Sequence, residues 1–147
     1  MLLFYMESKM FRIMALDYGT VRIGIALSDL TQIIANGYEN YQRTSLKNDL
    51  NHLKQIINEN KVGKIVVGLP LNMDGSESSQ TLKTKEFIEI LRNEIPNIPI
   101  EVLDERLTSM VAEKLLISAD ISRAKRKQVI DKMSATIILQ DYLDRQN

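Results

Sequence analysis

The run Lys64-Ile65-Val66-Val67-Gly68-Leu69 constrains the fold more than any other stretch. It is short, rich in β-branched residues and apolar at consecutive positions, so it reads as a strand covered on both faces rather than a half-exposed one. A strand of that kind needs a layer of structure above and below the sheet that contains it. Two further apolar runs precede it, Arg12 to Asp17 and Val21 to Asp29, joined by Tyr18-Gly19-Thr20 as a hairpin turn. Ile33 to Gln42 is a third, weaker strand candidate, interrupted by Asn36 and Gly37. Ile98 to Asp104, opened by Pro99, supplies the last, since a missing N–H does least harm where a strand begins.

Helical spacing fills the intervals. Thr44 or Ser45 can cap a helix carrying Leu46, Leu50, Leu53, Ile56 and Ile57 on one face. Pro70 to Ser79 is a turn-rich loop around Asp74-Gly75. The helix after it presents Leu82, Phe87, Ile90, Leu91 and Ile95, and stops before Pro96. Thr108 or Ser109 can cap another helix, with Val111, Ala112, Leu115 and Leu116. A long final helix over 123–144 turns Ile130, Ser134, Ile137, Ile138 and Leu143 inward. The order β-β-β-α-β-α-β-α-α predicts an α/β domain: an antiparallel β1-β2-β3 meander plus two parallel strands in one mixed five-stranded sheet, with helices on both faces.

With 147 residues, 19 basic and 19 acidic, the chain is expected to be one domain over 10–147 behind an N-terminal tail, 1–9. Zero net charge argues against coating nucleic acid through the whole surface but allows a local patch. There is no cysteine, which excludes thiolate metal sites and suits a reducing cytoplasm, the expected location. No apolar stretch approaches the roughly 20 residues of a membrane span, so no membrane partner is expected.

The chemistry lies in acids at strand ends. Asp17 closes the first strand just before Gly19, and Asp104-Glu105 closes the last. If the later strands run parallel to the first, these carboxylates share the rim at which open α/β sheets build sites. Asp131, within the final helical stretch, is a third candidate. Clustered carboxylates repel unless they share a proton or a cation, and an oxygen-only set suits Mg²⁺ or Mn²⁺. Two such ions about 3.5–4 Å apart are a known device for phosphodiester cleavage. Asp104 and Glu105 should point to opposite faces of their strand, and Glu105 has the longer reach. Each acid alone also fits a structural role: Asp17 as a turn former, Asp104 and Glu105 as a helix-entry pair, Asp131 as one side of surface pairing with Lys127, Lys132 or Arg126.

For binding, the loop holding Asn72 and Ser76 leaves a strand on the same rim, and backbone donors at the following helix start could hold a phosphate. Arg22 and Arg106 could contact a nucleic-acid backbone or balance neighbouring acids. Arg123, Lys125, Arg126 and Lys127 form the one cationic run. His52, the only histidine, reads as a surface or half-buried residue rather than a base, and Tyr38 and Tyr41 could stack on bases or simply pack.

Four segments carry a resemblance: Leu16-Asp17-Tyr18-Gly19-Thr20-Val21-Arg22-Ile23-Gly24, Val67-Gly68-Leu69-Pro70-Leu71-Asn72-Met73-Asp74-Gly75, Asp104-Glu105-Arg106-Leu107-Thr108, and Ser134-Ala135-Thr136-Ile137-Ile138-Leu139. Together they resemble the YqgF/RuvX family over about 10–145. The resemblance implies an RNase H-like fold and a nuclease. Asp17, Glu105 and Asp131 match the family's acids, with Asp104 as the alternative to Glu105, and 123–127 matches its basic run. It further implies Mg²⁺ or Mn²⁺, two ions in all, and action on the 5′ end of pre-16S ribosomal RNA within a small-subunit precursor, or on branched DNA as a Holliday-junction-resolvase-like enzyme. The chain is expected to be a monomer or weak homodimer, since symmetric junction cleavage would need a two-fold dimer. Two other readings remain open: a non-catalytic RNA-binding ribosome-assembly factor, and a sugar-kinase/actin-like phosphate-binding domain.

Overall fold

A computed structural model describes residues 10–106, 117 and 122–146, the side chains of residues 126–132 excepted. Its elements are β1 (Arg12–Tyr18), β2 (Arg22–Ser28), β3 (Ala35–Gln42), α1 (Leu46–Glu59), β4 (Val62–Leu69), α2 (Ser79–Glu94), β5 (Ile100–Asp104) and α3 (Arg123–Gln146). The five strands form one sheet in the order β3-β2-β1-β4-β5. β1 pairs antiparallel with β2 and parallel with β4, and β5 runs parallel to β4. This is the mixed RNase H-like sheet expected from the sequence.

Period-two alternation divides the core between two faces. Met14, Leu16, Ile23, Ile25, Ile65 and Val67 pack against Leu50, Leu53, Ile56 and Ile57 of α1 and Phe87, Ile88 and Leu91 of α2. Ile13, Ala15, Ala26, Val66 and Leu103 face the opposite way, onto Ala135, Ile138, Leu139, Tyr142 and Leu143 of α3. β4 contributes to both clusters, as its unbroken apolar run requires.

Several boundaries differ from the sequence expectation, each for a local reason. The strand expected from Ile33 begins only at Ala35, because the Asp29 carboxylate accepts the backbone N–H of both Ile33 and Ile34 at 2.8 Å and turns the chain around itself. Ile33 and Ile34 are left exposed. β5 begins at Ile100 rather than Ile98, whose N–H is spent on Ile95 O in the turn before Pro99.

In α2 the buried face is rotated: Thr81 and Thr84 are buried while Leu82 is exposed. Ser78 and Thr81 form a reciprocal capping box, and the Thr81 hydroxyl also donates to Pro70 O, which draws this side chain inward. In α3 the inward stripe centres on Ala135, Ile138 and Tyr142, leaving Ser134 and Ile137 half-buried. The helix expected over 108–116 lies outside the described residues.

Candidate active site

Because β1, β4 and β5 are mutually parallel, their C-terminal ends reach the same rim. Asp17 lies opposite Gly24 of β2, and Leu69 lies opposite Asp104. Asp17 shares the sheet face of Ile13 and Ala15, the face covered by α3. A Cβ placed at Gly24 would sit 3.4 Å from Asp17 Cβ and 3.5 Å from Ala135 Cβ, so a glycine here opens the space in which Asp17 sits.

Glu105 follows β5 directly and shares the side of Leu103. A Cβ at Gly68 would lie 3.3 Å from Glu105 Oε2 and 2.5 Å from Ile138 Cδ1. Glu105 therefore enters a half-buried pocket between the ends of β4 and β1, under α3. There its carboxyl is hydrogen-bonded to that of Asp17. Burial, and then the charge and hydrogen bond of Asp17, push the Glu105 carboxyl up to about 8. Two acids from distant parts of the chain thus meet at one rim.

Asp104 turns away from this pair. It receives Arg106 in a fork, Nε to Oδ1 and Oδ2 at 3.1 and 3.0 Å and an Nη2 contact at 2.7 Å, and accepts the Arg106 backbone N–H. The Arg106 side-chain bond, with the guanidinium charge, holds the Asp104 carboxyl below its usual range despite its partial burial. Arg106 Nη1 also donates to Met73 O at 3.2 Å, so the arginine straps the 70–78 loop to the end of β5.

Within that loop Asn72 Nδ2 donates to Ser76 Oγ at 2.9 Å, Ser76 donates to Asp74 Oδ1, and Gly75 adopts φ +90, a conformation open to glycine. The side chains of Asn72 and Ser76 close the turn, and Ser78 caps α2. Arg22 is exposed beside the hairpin, and Arg123 and Lys125 are exposed at the start of α3. The side chains of Arg126, Lys127 and Asp131 lie outside the described residues; the Asp131 backbone belongs to α3, one turn before Ala135. Among the described residues, no group of three or more His, Asp or Glu converges as a metal cage.

Away from the pair, His52 Nε2 lies 2.5 Å from Glu39 Oε1 and its ring stacks on Tyr41, consistent with a packing role. Sequence patterning does not single out Asp49, which is fully buried in α1 and accepts Arg43 Nε at 3.0 Å, Tyr41 OH at 3.0 Å and Thr44 N–H at 3.1 Å. It follows Lys47 and Asn48 in the first helical turn, and only the apolar positions Leu50, Leu53, Ile56 and Ile57 after it hint that this face turns inward.

The oxygen-only donor set fits a divalent cation. Two carboxylates in contact, one of them pushed up by burial first and then by its neighbour's charge, would both ionise if a divalent cation bound between them. The mixed β3-β2-β1-β4-β5 sheet with this pair of acids at its C-terminal rim makes the chain an α/β domain of the RNase H-like class. Within that class the chain belongs to the RuvX family, described as Holliday junction resolvase, whose model matches residues 11–145. It is 54% identical over 136 residues to a protein of Thermoanaerobacter pseudethanolicus named "Putative pre-16S rRNA nuclease", covering 92% of this chain and 97% of that one. A protein of the same name from Desulforamulus reducens is 51% identical, with 90% and 96% covered. The fowlpox virus resolvase, solved with its Holliday junction DNA, aligns at 9% identity with a TM-score of 0.49 over 92% of this chain and 99% of that one. No helix among the described residues is long and apolar enough to cross a membrane.

Proposed function

We propose that this chain is a metal-dependent nuclease acting on precursor 16S ribosomal RNA, hydrolysing a phosphodiester bond at its 5′ end. The observation that carries the reading is the Asp17–Glu105 contact at the sheet rim, supported by the name shared by relatives about half identical over nine-tenths of the chain. Asp17 and Glu105, joined by Asp131, would hold Mg²⁺ or Mn²⁺, and the bound ions would supply Lewis-acid stabilisation and an activated water. Asp17 is fixed by the paired end of β1, and Glu105 is fixed by its seat between Gly68 and Ile138, so neither carboxylate must be ordered when substrate arrives. Arg106 acts at one remove, keeping the 70–78 loop at the rim. Arg123 and Lys125 begin a basic run that draws the phosphate backbone toward the acids, which would otherwise repel it.

The test is a pair of substitutions assayed on an RNA carrying the 5′ region of the precursor, with Mg²⁺ or Mn²⁺. Asp17→Asn and Glu105→Gln should each lower the cleavage rate by about 1000-fold or more while RNA affinity stays within a few-fold. Variants that cut like the parent would overturn the assignment. Branched-DNA cleavage is the second reading, favoured by the description of the matching family; a stable monomer that ignores four-way junctions would dismiss it.

A further inference from the structure

Consecutive residues at a strand end face opposite sides of a sheet, and the end of β1 places different chemistry on each. Asp17 faces α3 and the acid pair. Tyr18 faces α1 and α2, where a cleft of about 300 Å³ is lined by Tyr18, Thr20, Arg43, Leu46, Lys83 and Glu86, with Phe87 and Ile90 at its wall. The two sides are separated only by the Gly19 turn. Gly19 N–H bonds to Arg22 O at 2.8 Å, and a Cβ at Gly19 would lie 2.7 Å from that oxygen. A side chain at position 19 would collide with this backbone oxygen.

The cleft is organised around planar groups. The Tyr18 and Phe87 rings stack with centroids 3.9 Å apart and planes within 13°, and the Arg43 guanidinium lies 4.6 Å from the centre of the Tyr18 ring. Arg43 is held in place by Asp49 and by the carbonyls of Gly19 and Thr20. Gln80 ties α2 to the same corner by donating to Tyr18 O at 2.9 Å. Leu46 and Ile90 add apolar surface, and Thr20, Lys83 and Glu86 offer donors and an acceptor at the edges.

The charges in the cleft nearly cancel. Arg43 is paired with buried Asp49, and Lys83 is accompanied by Glu86, one turn on. A phosphate would find no net attraction here. A neutral, flat ligand with polar edges fits better. Both faces of Tyr18 are taken, by Phe87 and by Arg43. A base would therefore extend the stack on the outer plane of the part-exposed Arg43 guanidinium, as bases of single strands do on such planes.

We propose that this cleft receives an unpaired nucleobase of the substrate strand, one that flanks the linkage held at Asp17 and Glu105, with the strand crossing the sheet rim over Gly19. The inference rests on the nuclease reading for the place of the cut. The base on one side of the rim then fixes which phosphate reaches the acids on the other, and an unpaired nucleotide beside the cut becomes a requirement of the substrate.

The experiment measures binding by fluorescence anisotropy, using the Glu105→Gln protein in Mg²⁺ and a labelled single-stranded RNA carrying the precursor 5′ region. An abasic residue is placed singly at each position flanking the cut linkage. Leu46→Trp fills the cleft from a residue that is already 41% exposed. One abasic position should weaken binding roughly tenfold, as should Leu46→Trp on intact RNA, and the two together should cost no more than either alone. If Leu46→Trp melts far below the parent, the exposed pair Lys83→Ala/Glu86→Ala takes its place, with a loss of about threefold or more. Undiminished binding by the variant, or losses that multiply, would overturn the cleft. Cleavage by Glu105→Gln at the parent's rate would instead sink the assignment of Glu105 to the cutting site, and leaves the binding result standing.

Discussion

Replacing Glu105 by glutamine should stabilise the metal-free protein, by an amount that grows with pH. The Glu105 carboxyl stands at about 8, against an ordinary value of 4.5, because it is buried and because Asp17 lies against it. Between those two values the folded protein holds a proton that the unfolded chain releases. The folded state therefore loses stability as pH rises through this window and levels off above it.

Every pH unit across that window is worth about 1.4 kcal/mol, so the full interval sets a ceiling of about 5 kcal/mol. Partial solvent access and the sharing of the proton with Asp17 reduce this to about 2 kcal/mol at pH 8.5. Near pH 5 the same reasoning leaves only a few tenths. Glutamine is nearly isosteric, carries no charge and can still donate to Asp17, so the difference between variant and parent reads the carboxylate penalty directly. For a chain of this size about 2 kcal/mol is worth roughly 4–8 °C. Thermal and urea melts of both proteins in EDTA, at pH 5 and pH 8.5, measure it. Adding Mg²⁺ or Mn²⁺ should raise the parent's midpoint and narrow the gap. A gap that is absent, or equal at the two pH values, would refute the argument that these acids strain each other.

Three further outcomes are expected. Asp49→Ala should cost about 3–5 kcal/mol in urea denaturation, since it strands the Arg43 guanidinium and the Tyr41 hydroxyl beside a buried site; a loss under about 1 kcal/mol would show that water replaces the carboxylate. Gly68→Ala should destabilise by about 1–3 kcal/mol, because its methyl would meet Ile138 at 2.5 Å, and should lower cleavage further than the stability loss explains by displacing Glu105. Arg106→Ala should leave the global melting midpoint within a few degrees yet speed proteolytic nicking in the 70–78 loop; an unchanged nicking rate would mean that Asn72, Asp74 and Ser76 hold the loop alone.

The sheet was legible in the sequence where one physical effect dominated. The run Ile65 to Val67 could only be covered on both sides, Ser45, one of two candidate caps, opens α1 at Leu46, and Pro96 ended α2 where expected. The parallel placement of β1, β4 and β5 then brought the ends bearing Asp17 and Glu105 to one rim. What resisted reading were positions at which a polar side chain takes over the backbone. Asp29 captures the N–H groups of Ile33 and Ile34, Thr81 is drawn inward by Pro70 O, and Asp49 buries a charge that three donors satisfy. None of these partners is near enough in pattern to be seen from hydrophobic spacing. The separation of Asp104 from Glu105 was legible as strand alternation, and Arg106 balancing a neighbouring acid was one of two open readings; its strap onto Met73 O was not legible.

The meeting of Asp17 with Glu105 also has a temporal meaning. The first acid is synthesised before the second, at the end of a strand that pairs with its neighbour β2. The second arrives only after β4 and α2 have been made, and finds its seat only when β5 docks on β4. A copy halted before β5 therefore owns one carboxylate of the pair and no partner for it.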